Sequence, residues 1–257
     1  MSAELPPPPR PDVDAEPSTE ERQRRPAPWG ALEAIPVFVI ALVIAGIGGL
    51  IAGLAAHGGC HLGDPTSACG ATFVLISLST ELGFLLSVVL WVRVVKRAPL
   101  QALGIPGRPI RDVAFGLLSG LGLFVVSIVA GIVVLTLARA ILGHEPTQPE
   151  QIPTYVQRGT LFWSGLVVVL AAPLGEETFF RGFLFRGLRR RFSLWPAVLI
   201  SAAAFAVVHG SPILIFALFP VGIGLALIYE RRQSPVASMA AHAMFNLIGM
   251  LLIAANR

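Results

Sequence analysis

Two adjacent carboxylates and a guanidinium, Glu176, Glu177 and Arg181, interrupt an apolar run that extends from about Thr160 to Phe185. An ionisable group at that depth in a bilayer costs about 2.5–3.5 kcal/mol on insertion scales and is rarely left without a partner or a task. Helical spacing separates the two glutamates. Glu177 and Arg181 stand four residues apart on one face and can pair within a turn. Glu176 points about 100° away. It is the carboxylate left to face a cavity, where it can act as a general base.

Downstream, His209 closes the stretch Phe205-Ala206-Val207-Val208-His209, and His242 and Asn246 stand four apart in His242-Ala243-Met244-Phe245-Asn246. A carboxylate, two imidazoles and an amide are the parts of a hydrolytic site. Glu176 would take a proton from water, His209 would help to hold that water, and His242 and Asn246 would donate to the oxyanion of a tetrahedral intermediate. With a rise of about 1.5 Å per residue from the cytoplasmic ends, His242 lies at ~12 Å, Glu176 at ~14 Å, Asn246 at ~18 Å and His209 at ~22 Å. A lone His or Asn in a membrane helix more commonly bonds a neighbouring helix. Four such residues in one layer near the midplane point to a common site. Glu81, in an earlier apolar segment, has a similar depth but belongs to no motif of this set.

The elements that must position these residues are helices. The chain has 257 residues, 54% hydrophobic and only 13% charged, with a mean hydropathy of +0.75. Those values describe an all-α, polytopic transmembrane bundle. Seven apolar segments are expected, at about Ile35–Ala56, Ala71–Val92, Val113–Leu142, Thr160–Phe185, Leu194–His209, Ile213–Tyr229 and Pro235–Ala255. The fifth and sixth are short, and they meet at His209-Gly210-Ser211-Pro212 in an outer turn or a break within the membrane. Residues 1–28 are rich in Pro, Glu and Arg and read as a disordered cytoplasmic tail, after which Trp29 stands where an interfacial aromatic belongs. Residues 29–159 then carry the first three helices, and residues 160–257 a catalytic core made of the last four.

Net charge is +4, but the basic residues lie at the ends of apolar segments, which is a topology signal and gives no support for nucleic-acid binding. One side receives Arg22, Arg24, Arg25, Arg93, Lys96, Arg97, Arg108, Arg111, Arg186, Arg189, Arg190, Arg191, Arg231 and Arg232; the other receives only Arg139, Arg158 and Arg257. The positive-inside rule therefore places the N-terminus in the cytoplasm and the C-terminus outside. Cys60 and Cys69 share one outward loop and match no zinc pattern, and a disulfide and two free thiols are both open there. There is no internal repeat and no glycine-rich phosphate loop.

Glu176-Glu177-x-x-x-Arg181, Phe205-x-x-x-His209 and His242-x-x-x-Asn246, in this order on successive helices, resemble the three motifs of the CPBP family. These are the CAAX-processing and bacteriocin-processing intramembrane proteases, also called the Rce1-like or Abi family. The resemblance covers about Leu161 to Ala254, and every motif position matches. It implies a helical membrane endopeptidase with Glu176 as catalytic base, His209, His242 and Asn246 as its partners, and Glu177 and Arg181 in support. The implied substrate is a membrane-associated protein or peptide, met within the lipid bilayer. Eukaryotic members cut behind a prenylated cysteine. Abundant Ala, Gly and Arg and minimal loops read as bacterial, so the expectation is a bacterial cytoplasmic-membrane protein without a prenylated CAAX substrate.

Two other classes compete. Midplane Glu and His also build the relays of proton-coupled transporters, but no inverted repeat is present. A non-catalytic membrane scaffold or bacteriocin-immunity protein would have no need of an intact motif set. The family's frequent name, metalloprotease, raises a separate question. Hydrolytic zinc normally takes three protein ligands and a water, commonly through His-Glu-x-x-His, and that signature is absent here. Zinc on Glu176, His209 and His242 is the alternative to a cofactor-free site, but it would consume the unpaired carboxylate and leave no obvious base.

Overall fold

The computed structural model describes residues 26–55, 67–105, 109–144 and 158–256. A short 3-10 turn, Ala31–Glu33, leads into α1 (Ala34–Ala55). Helix α2 (Ser67–Leu90) runs on into a π-helical turn at Trp91–Val95, and α3 covers Pro109–Leu142. The next span, Thr160–Arg189, is built in pieces. These are α4 (Arg158–Leu166), a π-helical turn (Val167–Ala171), α5 (Ala172–Glu177), a longer π-helical stretch (Thr178–Phe185) and α6 (Arg186–Arg189). Three helices close the chain: α7 (Leu194–Val207), α8 (Pro212–Arg232) and α9 (Pro235–Ala255). The last two open on proline, whose missing N–H removes one of the donors that a helix start cannot satisfy.

Among the described residues six helices are long and apolar enough to cross a bilayer, and α7 is shorter. All seven expected apolar segments are helices; the fifth is short as expected, whereas the sixth, also expected short, is of spanning length. The 14 residues of α7 rise only about 21 Å against the ~30 Å hydrocarbon thickness. The helix stops at a turn where Gly210 has φ +76°, a conformation that glycine adopts without a Cβ penalty. Helices α7 and α8 then pack together as a hairpin. Leu, Ile and Val side chains stay exposed along α1, α2 and α3, including Leu50, Leu54, Leu86, Val125 and Ile132. Apolar surface of that extent is what lipid covers.

The buried core centres on the Thr160–Arg189 span. Phe179, Phe180 and Phe183 are enclosed by Val37 of α1, Phe84 and Val88 of α2, Phe205 of α7, Leu225 of α8 and Ala241 of α9. Aromatic contacts carry the packing from α2 to α7, with ring centroids 5.2 Å apart for Phe84–Phe179, 5.0 Å for Phe179–Phe180 and 5.4 Å for Phe180–Phe205. The packing thus runs across residue 160. Trp29 belongs to the same core, where an interfacial position was expected. It is fully buried, stacks on Phe183 at 4.8 Å and donates its Nε1–H to the Phe183 carbonyl at 2.9 Å. A buried indole needs that acceptor, because an unmet N–H would cancel much of the gain from burying the ring.

Charged pairs tie the helix ends together. Arg232 bonds Asp112 at 2.7 Å, Arg189 bonds Glu230 at 2.9 Å, and Lys96 lies 3.1 Å from Glu33. Among the described residues there is no free cysteine, and Cys69 is buried. Cys60 and the proposed tail up to Arg25 lie outside the described residues.

Helix α3 packs most closely on α9, and small residues permit it. A Cβ on Gly120 would sit 2.5 Å from the Ala241 carbonyl oxygen, whereas one on Gly122 would meet nothing within 4 Å. Close backbone approach of this kind is the main source of helix association in lipid. Gly120→Ala should therefore cost about 1–3 kcal/mol by overpacking, and Gly122→Ala should be neutral. Equal thermal midpoints for the two variants in detergent would contradict this packing.

Candidate functional site

Glu176 and Glu177 end α5, with π-helical turns on either side of that short helix. Such widened turns inside α-helices are frequent at functional sites and turn side chains away from their regular α-helical directions. The apolar run expected from Thr160 to Phe185 is one helical span with π-helical stretches inside it, and the four-residue pairing survives them. Arg181 donates from Nη1 to Glu177 Oε1 at 2.7 Å, and both side chains are 0% exposed. A second donation, from Arg181 Nη2 to the Gly222 carbonyl at 3.1 Å, fastens this span to α8. The guanidinium also lies over the Phe205 ring, 4.5 Å from its centroid, a cation–π contact that gains from the lack of water.

His242 is not free to serve the site with both nitrogens. Its Nδ1 lies 3.2 Å from Glu177 Oε1, the same oxygen that receives Arg181. An ionised carboxylate only accepts, so Nδ1 must carry the hydrogen. That contact fixes the ring and leaves Nε2 as its working atom: an acceptor in the neutral imidazole, a donor in the imidazolium. Asn246, one turn further along α9, donates from Nδ2 to the Val168 carbonyl at 2.7 Å. The acceptor lies in the first π-helical turn. One amide hydrogen and the side-chain carbonyl of Asn246 remain for other partners.

His209 follows the end of α7 and is partly exposed. Its Nδ1 is 2.9 Å from the Phe205 carbonyl, four residues back. A carbonyl accepts, so here too Nδ1 is the donor and the neutral ring presents the Nε2 lone pair. Phe205 stands between the two imidazoles, 5.0 Å from His209 and 5.7 Å from His242 by ring centroids. The motif residues of α5, α7 and α9 are thus linked through Arg181 and Phe205. The spacing singles out neither this separating role of Phe205 nor the acceptors at Gly222 and Val168. Backbone acceptors on other helices leave no mark in a sequence.

Glu176 is buried, and its Oε2 has no hydrogen-bond partner in the protein. It faces neither of the two apolar grooves beside this span. The larger, of about 720 Å³, lies between α4 and α9, where Leu161, Gly165, Val169, Leu247 and Met250 line it. Among the described residues no group of three or more His, Cys, Asp and Glu side chains is gathered closely enough to hold an ion.

Residues 158–248 match the family described as type II CAAX prenyl endopeptidase Rce1-like. This segment of the chain is Rce1-like. All six motif residues from Glu176 to Asn246 fall inside the Rce1-like segment, and Glu81 falls outside it. The UPF0177 protein YbdJ of Lactococcus lactis subsp. lactis (strain IL1403) is 30% identical over 109 residues, 42% of this chain and 46% of YbdJ. The chain therefore spans about half the length of that relative. No solved structure matches. Six helices of spanning length among the described residues, together with the Rce1-like segment, make this an integral membrane protein.

Proposed function

We propose that the chain is an intramembrane endopeptidase that hydrolyses a peptide bond of a membrane-associated protein or peptide, with Glu176 as its general base. The observation that carries this reading is the contrast between neighbouring glutamates. Each keeps a buried Oε2 with no partner in the protein, but Arg181 and His242 both bond Glu177 Oε1 and neither bonds Glu176. The first geometry is structural; the second is that of a base waiting for a proton. Glu176 takes one proton from water as the water oxygen adds to the scissile carbonyl. His209 helps to hold that water beside the scissile carbonyl. The oxyanion receives a free amide hydrogen of Asn246 and, from the imidazolium form, His242 Nε2–H. The carbon–nitrogen bond then breaks, and the leaving amine takes the proton held by Glu176. Every step uses side chains of this chain and needs no ion.

The test compares the proteomes of membranes carrying the intact protein or the Glu176→Gln variant. A cleaved species that appears only with the intact protein names the substrate. Purified protein should cleave that substrate after exhaustive chelation; near-stoichiometric zinc, with activity lost on its removal and restored by re-addition, would refute the metal-free mechanism.

Orientation is part of the same proposal. Arg189, Arg190 and Arg191 precede α7, and Arg231 and Arg232 end α8, so the hairpin begins and finishes on one side however deep its turn lies. Four spans before it and α9 after it then give a cytoplasmic N-terminus and an external C-terminus. Reporter fusions should place the loops at Lys96 and Arg190 in the cytoplasm and the C-terminus outside. A cytoplasmic C-terminus would overturn this topology.

A further inference from the structure

Glu81 of α2 lies beyond the Rce1-like segment and outside every motif, yet it reaches the same place as Glu176. A Cβ built on Gly175 would fall 2.5 Å from the Glu81 carbonyl oxygen and 3.0 Å from its Oε2. The absence of a side chain at Gly175 is what admits this carboxyl beside the backbone that carries Glu176. The charges of Glu81 and Glu176 are within reach of one another. Each residue also has a buried Oε2 without a hydrogen-bond partner in the protein. Two neighbouring carboxyls, each with an unmet oxygen, could supply the two or more polar partners that a bound water needs.

The surroundings decide the charge of the pair. Helix α1, packed along α2, contributes no titratable side chain. The Thr160–Arg189 span presents Glu176 and, behind it, Glu177 and Arg181, and the Arg181 Nη1 is already bonded to Glu177. Among the described residues no ion pair includes Glu81. Arg181 also acts on Glu176, so of two carboxyls too costly to keep charged side by side in a bilayer, Glu81 is the one without compensation, and it neutralises.

We propose that Glu81 is a further catalytic residue, a neutral carboxylic acid that holds the attacking water together with Glu176. Its carbonyl oxygen accepts one hydrogen of the water while Glu176 removes the other. The water oxygen thereby keeps its lone pair aimed at the substrate, and Glu81 itself gains and loses no proton. This inference rests on the reading of Glu176 as the base.

A neutral acceptor is what Gln also supplies, and Leu does not. On a substrate identified as above, Glu81→Gln should retain kcat within about threefold, whereas Glu81→Leu should lower kcat about 10²-fold or more with KM little changed. Both should keep the thermal midpoint of the parent in detergent. Full activity in Glu81→Leu would overturn the proposal, and so would equal loss in two folded variants, since that would make the charge or mere packing the requirement. If Glu81→Leu failed to fold, Glu81→Gln would decide alone: retained kcat supports the role, and a loss beyond tenfold in a folded protein refutes it. Glu176→Gln, measured alongside, separates the two ideas. A fully active Glu176→Gln removes the reading of Glu176 as base, whereas an inactive one beside a fully active Glu81→Leu removes only the inference about Glu81.

Discussion

Glu176→Gln should lower turnover by about 10²–10⁴-fold, the range supplied by a positioned general base, and leave the folded protein as stable as before. The substitution keeps the shape of the side chain and removes only its ability to take a proton. It strands nothing, because Glu176 Oε2 has no partner in the protein that would be left behind. A buried carboxylate replaced by its neutral isostere also relieves a desolvation cost. Turnover of the identified substrate, measured beside a thermal midpoint in detergent, gives both halves of the result. A variant that cleaves at the parental rate removes Glu176 from the chemistry. One that loses activity only because it unfolds makes Glu176 a structural residue.

The parts of the site legible in the sequence were those governed by a single helix. Glu177 and Arg181 lie four residues apart, and the bond between them at 2.7 Å follows from that spacing. The lone position of Glu176 follows from the same geometry. What spacing does not carry is the rotation of one helix against another. His242 and Asn246 share a face, but only the packed bundle shows that this face delivers one to Glu177 and the other to Val168. The π-helical turns on either side of α5 have no periodicity of their own in an apolar run, so they read as regular helix. Trp29 illustrates the same limit. Its position beside a membrane segment fits an interfacial anchor, and its true partner, Phe183, is 154 residues away. The shortness of α7, by contrast, was visible in the length of the apolar run before His209.

The buried pair should behave in the opposite way to Glu176. Glu177→Gln leaves the Arg181 guanidinium, which is 0% exposed, without its neutralising charge inside the membrane. Breaking one half of such a pair costs about 3–5 kcal/mol, a large share of the roughly 5–15 kcal/mol that holds an ordinary protein folded. Arg181→Met should be as damaging, because it strands the Glu177 carboxylate with only His242 and leaves the Gly222 carbonyl without its donor. Replacing both together, Glu177→Leu with Arg181→Met, removes both charges at once. Buried pairs exchanged for apolar residues of similar size are often neutral or stabilising. The double variant should therefore recover most of the stability lost by either single variant, a coupling that a double-mutant cycle measures directly. Proteolysis should not return with it, because His242 loses the carboxylate that fixes its Nδ1–H. Thermal midpoints and turnover of the four proteins make the distinction. Single variants as stable as the parent would mean that the charges are not compensating one another. A double variant that regains activity along with its fold would show that the Glu177 contact to His242 has no part in catalysis.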